Sequence, residues 1–219
     1  MQSVPALWAR LPMMPRITKR YAFVILTHTY AQDMESMNRK FREVKRVSIL
    51  PVPDRVFRSV TEIDPAELAG RGIKLLLADL DNTLARYGQA EPEGAVVAWR
   101  ERLRGAGVAL FLLSNSRRPT RVAHYAQALR IPVLGHAGKP SRAGYRRAMA
   151  QMGCTPEETA MVGDQIFTDI LGARRAGVTA FLVEPVELGR NPGRYIRYAV
   201  ETPFRTAGKR KNSRYTNQY

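Results

Sequence analysis

Short aliphatic segments alternate with helical patterns along the middle of the chain. Segments with the composition of buried strands lie at 73–78, 108–113, 131–134, 159–162 and 178–183. Between them, apolar residues recur at helical spacing over 91–105, 119–129, 141–152 and 166–176. Strands that alternate with helices of this length form right-handed βαβ units. The pattern therefore predicts an α/β fold, a Rossmann-like parallel sheet flanked by helices.

Polar residues follow the first four predicted strands. They are Asp79 and Asp81 after the first, Ser114 and Asn115 after the second, Lys139 after the third, and Asp164 and Asp169 after the fourth. The carboxyl ends of parallel strands meet at one edge of a sheet, where open α/β folds bind their ligands. We therefore expect these side chains to share one site.

The pair Asp79 and Asp81 is the most informative part of this set. Residues two apart in a strand point to the same side, so both carboxylates can reach one cavity. Two like charges this close repel each other unless a cation or a proton intervenes. The alternative is a solvated turn, in which Asp and Asn are common. The polar groups at the later strand ends favour a functional site.

Groups of these types suit phosphoryl transfer. One carboxylate can attack phosphorus, and a second, protonatable carboxylate can serve the leaving oxygen and then activate water. A hydroxyl and an ammonium group can hold the phosphoryl oxygens. Further carboxylates bind Mg²⁺, which prefers hard oxygen ligands. The residues therefore favour a magnesium-dependent enzyme that acts on phosphate esters.

The order and spacing of these residues resemble the four motifs of the haloacid dehalogenase superfamily of phosphatases. The matching segments are Asp79-x-Asp81-Asn82-Thr83, Ser114, Lys139-Pro140 and Gly163-Asp164-x-x-x-x-Asp169. The match covers residues 73–183, and it more specifically resembles the YqeG-like branch of subfamily IIIA. A mitochondrial phosphatase of phosphatidylglycerophosphate is related to that branch.

The resemblance implies a role for each residue of the first two motifs. Asp79 is expected to be the nucleophile and a Mg²⁺ ligand. Asp81 is expected to be the general acid and base, with its backbone carbonyl on the metal. Ser114 is expected to hold the phosphoryl group, with Asn115 beside it. A carboxylate at Asp81 also favours ester hydrolysis over dehalogenation, because a halide leaving group needs no proton.

The last two motifs are expected to complete the site. The resemblance implies that Lys139 balances the charge of the nucleophile and the phosphate. Asp164 is expected to complete the metal site, directly or through water, and Asp169 to support it. For Asp169 an alternative is an ion pair with Arg174 on the same helix.

The connections after the first two strands are too short for an inserted cap domain. Residues 84–108 have room for one helix, and residues 120–138 for one helix and one strand. Relatives with a cap use it to enclose small metabolites. An open site suits a large substrate with a protruding phosphate, such as a phospholipid headgroup, a nucleic-acid end or a phosphoprotein. The alternative is a lid that a second copy supplies.

Charge adds a class of partner to this picture. The chain has 35 basic and 19 acidic residues, a net charge of +16. This balance suits phosphate, RNA or an anionic membrane surface, although a GC-rich genome that favours arginine would produce it too. The single cysteine, Cys154, excludes an intrachain disulfide and a cysteine-built zinc site. We expect a cytoplasmic protein, either free or peripheral at a membrane.

Composition divides the chain into three parts. Residues 1–36 are expected to be a poorly structured extension, with a targeting segment or a mis-assigned start as alternatives. Residues 37–200 form the predicted phosphatase domain. Residues 201–219 form a basic tail. The segment from Tyr195 onward is more typical of a disordered solubilising segment than of one that stacks on bases. No stretch reaches the ~20 apolar residues that span a bilayer.

These observations support one leading hypothesis and two alternatives. The leading hypothesis is a Mg²⁺-dependent phosphomonoester hydrolase that works through an aspartyl-phosphate, with phosphatidylglycerophosphate as one candidate substrate. One alternative is a phosphatase of nucleic-acid ends or sugar phosphates. The other is a non-catalytic module that binds RNA or the ribosome. The presence of Asp79, Asp81, Lys139 and Asp164 together argues against the second alternative.

Overall fold

The computed structural model describes residues 50–187 and 192–216 of the chain. The strands are β1 (Arg55–Phe57), β2 (Leu75–Ala78), β3 (Ala109–Leu113), β4 (Val133–Leu134), β5 (Thr159–Gly163) and β6 (Thr179–Val183). They form one parallel sheet in the order β1-β6-β5-β2-β3-β4. The helices are α1 (Pro65–Gly70), α2 (Gly94–Gly105), α3 (Pro119–Leu129), α4 (Arg142–Met152), α5 (Leu171–Ala176) and α6 (Pro192–Thr216). The α/β fold predicted from the alternating pattern is confirmed.

The central strand β2 is buried on both faces, as its uninterrupted aliphatic sequence predicts. Its side chains alternate between two hydrophobic cores. Leu76 belongs to the core on one face, which also contains Trp99 of α2. Leu77 belongs to the core on the other face, which contains Tyr145 of α4. The sheet is therefore the middle of three layers, with a hydrophobic core on each of its faces.

The helices and strands predicted between residues 73 and 183 are present in the structure, with some differences at their ends. The predicted helix over 166–176 begins as a π-helical turn at Ile166–Ile170 and continues as α5. Ser141 accepts a hydrogen bond from the Ala143 backbone nitrogen, as expected of the residue before α4. No cap domain interrupts the described connections between β2 and β4, as predicted. The edge strand β1 was not predicted.

The C-terminal part of the chain differs from its prediction. The disorder expected from Tyr195 onward is wrong for residues 195–216, which belong to helix α6. Asn212 of this helix bonds to both backbone groups of Val56 in β1. Gly208 lies so close to β1 that an added Cβ would be 2.9 Å from Val56 Cγ2. Helix α6 therefore covers the outer edge of the sheet.

The segment 1–36 lies outside the described residues. Among the residues that are described, none of the helices has both the length and the apolar composition needed to cross a membrane.

Candidate active site

Adjacent strands bring two of the predicted carboxylates together. Asp79 follows β2 and Asp164 follows β5, and the two strands pair with Ala78 beside Val162. The backbone nitrogen of Asp79 continues this ladder by donating to the Val162 carbonyl at 3.0 Å. Asp169 joins them from the π-helical turn. One carboxylate oxygen from each of the three residues lies within 4.8 Å of the others, and all three residues are buried.

Lys139 lies between two of these carboxylates. Its Nζ donates to Asp79 Oδ1 at 2.6 Å and to Asp169 Oδ1 at 2.7 Å. Burial alone would lower the pKa of Lys139, but Asp169 and Asp79 outweigh this effect and raise the pKa above its usual value. Lys139 therefore remains a buried cation that offsets part of the negative charge of the cluster.

Asn115 fixes the backbone that carries this lysine. Its side-chain nitrogen donates to the Lys139 carbonyl at 2.9 Å, and its side-chain oxygen accepts from the Lys139 backbone nitrogen at 2.9 Å. The side chain of Asn115 thus joins the loop after β3 to the loop after β4. Ser114 is buried beside it and lines the cavity that Asp79 also lines.

Both carboxylate oxygens of Asp169 accept hydrogen bonds. Besides Lys139, its Oδ2 accepts from the Gln165 backbone nitrogen at 3.1 Å. Burial is the main reason that its pKa is raised, to about 6, and Lys139 opposes the shift. Arg174, the alternative partner expected for Asp169, binds Asp54 at 2.6 Å instead. Gly163 is required here, because an added Cβ would be 2.3 Å from Asp169 Cγ.

Asp164 carries the strongest sign of a metal site. Its Oδ1 is buried, and within the described structure no hydrogen-bond donor reaches it. Burial raises its pKa well above the usual range, and the negative charges of Asp169 and Asp79 add to the shift. Buried carboxylates without enough partners are stabilised by a cation. The hard oxygen ligands and the unpartnered Oδ1 therefore fit a divalent cation, as the sequence predicts.

Asp81 lines the same cavity but has a different environment from Asp79. Nη1 of Arg121 in α3 donates to Asp81 Oδ1 at 2.7 Å, and Nε of Arg121 donates to the Gln89 carbonyl at 2.8 Å. Burial raises the pKa of Asp81, and Arg121 partly opposes the shift. Arg121 was not among the predicted site residues, because a sequence does not show that α3 reaches back to the Asp81 loop.

Helix α6 supplies one wall of the cavity, which has a volume of about 400 Å³. Its lining residues Arg194, Tyr198, Glu201 and Arg205 recur at helical spacing. Arg194 lies 4.5 Å over the ring of Tyr87, which borders the cavity from the loop after β2. This wall was missed in the sequence. The helical spacing of these polar residues was the signal that could have found it.

A buried ion pair attaches α6 to the loop that carries Asp164. Arg205 Nη2 donates to Glu201 Oε2 at 3.0 Å and also to the backbone carbonyl of Asp164. Glu201 Oε1 accepts from the Ile166 backbone nitrogen at 3.1 Å. Both side chains are almost fully buried. Helix α6 is therefore part of the site.

Comparisons with known proteins identify the family. Residues 136–185 match the family model described as HAD-hydrolase-like. The probable phosphatase YqeG of Bacillus subtilis is 32% identical over 135 residues, which are 62% of this chain and 78% of that protein. Phosphatidylglycerophosphate phosphatase 1 of Chlamydomonas reinhardtii, a chloroplastic protein, is 31% identical over 154 residues, which are 65% of this chain and 56% of that protein. The chain belongs to the haloacid dehalogenase superfamily of phosphatases, in its YqeG-like branch.

Family membership confirms the predicted enzyme class, a phosphoric monoester hydrolase. The chain spans about half of the phosphatidylglycerophosphate phosphatases that it matches, 56% and 47% of their lengths. A solved structure of the cobalt-bound deoxy-D-mannose-octulosonate 8-phosphate phosphatase from Haemophilus influenzae superposes with a TM-score of 0.42. That match has 19% identity and covers 64% of this chain and 91% of that one. Because the score is low, the fold assignment rests on the strand order of the chain itself.

Proposed function

We propose that this protein is a Mg²⁺-dependent phosphomonoesterase in which Asp79 forms an aspartyl-phosphate. The observation that carries the proposal is the position of Asp79. Its carboxylate is held by Lys139 and lies near Asp164, whose Oδ1 has no hydrogen-bond partner within the described residues, and it lines the same cavity as Asp81. A carboxylate nucleophile, a cation to offset its charge and a second carboxylate for proton transfer are the groups that this reaction needs.

In the first step, Asp79 attacks the phosphorus of the ester. Lys139 occupies Oδ1 of Asp79, so Oδ2 is the nucleophilic oxygen. A bond forms between Oδ2 and phosphorus as the bond from phosphorus to the ester oxygen breaks. The leaving oxygen takes a proton from Asp81, whose pKa burial raises toward the range in which a carboxyl group can donate one.

In the second step, Asp81 accepts a proton from water, which attacks phosphorus and releases phosphate from Asp79. Ser114, which lines the cavity, holds a phosphoryl oxygen through both steps, and Lys139 offsets the negative charge of Asp79 and the phosphoryl group. Asp79, Asp164 and the backbone carbonyl of Asp81 would hold Mg²⁺, which would supply positive charge to the phosphoryl group when bound. Asp169 acts on the site through Lys139, which it orients.

The substrate that we propose is a phospholipid with a terminal phosphate, such as phosphatidylglycerophosphate. The relatives from Chlamydomonas reinhardtii and Arabidopsis thaliana carry that substrate in their names. The cavity supports this choice, because Arg194 and Arg197 line it in addition to the residues at the strand ends. Two further cations suit a substrate with a second phosphate, here the phosphodiester of the lipid. We place this activity in the cytoplasm, at the membrane surface.

One set of assays tests the activity and its substrate. Purified protein is incubated with Mg²⁺ and an aryl phosphate, phosphatidylglycerophosphate, a sugar phosphate or an oligonucleotide with a terminal phosphate. We expect hydrolysis of the aryl phosphate and of the lipid, and loss of both with Asp79→Asn. Hydrolysis that Asp79→Asn leaves unchanged contradicts the mechanism. Preference for the oligonucleotide or the sugar phosphate contradicts the lipid substrate, and tight RNA binding without hydrolysis supports the non-catalytic alternative.

A further inference from the structure

The outward face of the first half of α6 is apolar, and no part of the chain that the structure describes covers it. Tyr195, Ile196 and Val200 are 53%, 67% and 56% exposed, and they are three of the large hydrophobic side chains that the described structure leaves in solvent. Ala199 and Pro203 are also exposed and lie on the same side of the helix by their spacing. Single exposed apolar residues are ordinary, but a continuous stripe on a surface helix indicates an interaction site.

The opposite side of the same helical turns faces the active-site cavity. Arg194 and Tyr198 line the cavity and are only partly exposed, and Arg197, which lies between the two sides, donates to Gln165 Oε1 at 2.8 Å. The apolar stripe and the cavity wall are therefore separated by the thickness of the helix, ~10 Å.

The charge of helix α6 indicates which kind of partner can cover the stripe. Within residues 192–212 the sole acidic residue is Glu201, which is 1% exposed and paired with Arg205. The side of α6 that meets solvent therefore presents apolar and basic groups without a carboxylate. The net charge of the whole chain, +16, disfavours a second copy as the partner. An amphipathic helix of this type binds at the interface of a bilayer that contains anionic lipid.

We propose that Tyr195, Ile196, Ala199, Val200 and Pro203 form a docking surface for an anionic membrane. The apolar side chains lie among the outer acyl carbons and headgroups, while the arginines beside them contact lipid phosphates. Docking in this way holds the cavity one helix diameter, ~10 Å, from the surface of the bilayer, near a lipid substrate. The docking surface itself does not depend on the proposed phosphatase activity. Only the access of a lipid substrate to the cavity rests on that activity.

Vesicle co-sedimentation tests the docking surface without any turnover. The full chain is mixed with vesicles of phosphatidylcholine, with or without phosphatidylglycerol. We expect binding to the anionic vesicles only, and a loss of about tenfold in partitioning with Val200→Asp, since a buried valine contributes at least 1.4 kcal/mol. Ile196→Asp, one turn away, is expected to reproduce the loss.

Val97→Asp is the matched control, because Val97 is also an exposed valine on a helix, α2, and is 38% exposed. Equal melting temperatures show that the variants are folded. Failure of the wild-type protein to bind anionic vesicles overturns the inference, and so does an equal loss with Val97→Asp. A wild-type dimer that Val200→Asp converts to a monomer also overturns it. Binding without hydrolysis of the aryl phosphate leaves the docking surface standing and removes the proposed activity.

Discussion

The guanidinium group of Arg205 donates a hydrogen bond to the backbone carbonyl oxygen of Asp164, and it thereby joins the C-terminal helix to the cavity. The same guanidinium group is paired with Glu201, and both side chains are at most 4% exposed. A buried pair of this kind contributes little net stability, but removing one member leaves the other charge without compensation. The helix and the position of Asp164 therefore depend on each other.

Replacing Arg205 tests this dependence. Arg205→Met leaves Glu201 buried without its cation, and we expect the free energy of unfolding to fall by about 3 kcal/mol. In addition, the Mg²⁺ concentration for half-maximal activity is expected to rise, because the loop that carries Asp164 loses a contact. Denaturant unfolding and a Mg²⁺ titration measure the two effects. Lys209→Met on the same helix is the control; its side chain is 57% exposed, so a loss below about 1 kcal/mol is expected.

Replacing Lys139 tests the charge balance of the carboxylate cluster. Lys139→Met leaves Asp79 and Asp169 facing each other, and we expect activity to fall on the order of 10³-fold and stability to fall strongly. Adding Asp169→Asn removes one of the two opposed charges and is expected to restore part of the stability, with a coupling of about 1–3 kcal/mol. Strictly additive losses of stability in the double variant contradict the ion-pair network.

Replacing Arg121 tests the environment of Asp81. Arg121 lowers the pKa of Asp81 against the effect of burial, so Arg121→Gln is expected to raise that pKa. Because Asp81 donates a proton in the first step, activity falls as pH rises through its pKa. The basic limb of the pH profile of kcat/KM is therefore expected to move to higher pH. Arg104→Gln, with an exposed side chain, makes the same change in charge and is expected to leave the limb in place.

The buried carboxylates of Asp164 and Asp169 are expected to make the stabilisation of the protein by a divalent cation depend on pH. The pKa of Asp169 is raised to about 6 and that of Asp164 is raised well above its usual range. A raised carboxyl pKa means that the folded state binds protons more tightly than the unfolded state. This contribution to stability is present at low pH and is lost as pH rises through about 6.

A divalent cation competes with those protons. We therefore expect Mg²⁺ to raise the melting temperature more at about pH 7.5 than at about pH 5, where Asp164 and Asp169 bind protons instead. Thermal unfolding at both pH values, with Mg²⁺ and with a chelator, measures the difference. An equal or larger effect at the lower pH argues against a metal site on these carboxylates, and Asp164→Asn is expected to abolish the difference.

The sequence predicted the strand ends of the site because their geometry is local. Asp79 and Asp164 each follow a buried aliphatic strand, and parallel pairing of neighbouring strands brings such residues together. The three-residue strand β1 gave no comparable signal, since a segment that short has no measurable periodicity. Its pairing with β6 depends on partners distant in the chain.

Helix α6 shows a different limit of sequence interpretation. Its basic composition favoured a disordered tail, and the structure shows a helix with Glu201 and Arg205 buried against the site. Burial of a charged pair depends on a tertiary partner, here the backbone at Asp164 and Ile166, which no local pattern reveals. The same holds for Arg121, whose partner Asp81 lies 40 residues earlier in the chain.

The central claim is that Asp79 carries the phosphoryl group, and trapping that group tests it most directly. Enzyme is mixed with a radiolabelled aryl phosphate, quenched in acid, and digested so that the labelled peptide can be identified. The phenolate leaving group needs no proton, so Asp81→Asn is expected to complete the first step and to accumulate label, because the second step needs a base. We predict label on Asp79, in the largest amount for Asp81→Asn and none for Asp79→Asn. Release of phosphate without label on Asp79 in either active protein, or label on another residue, would contradict the account.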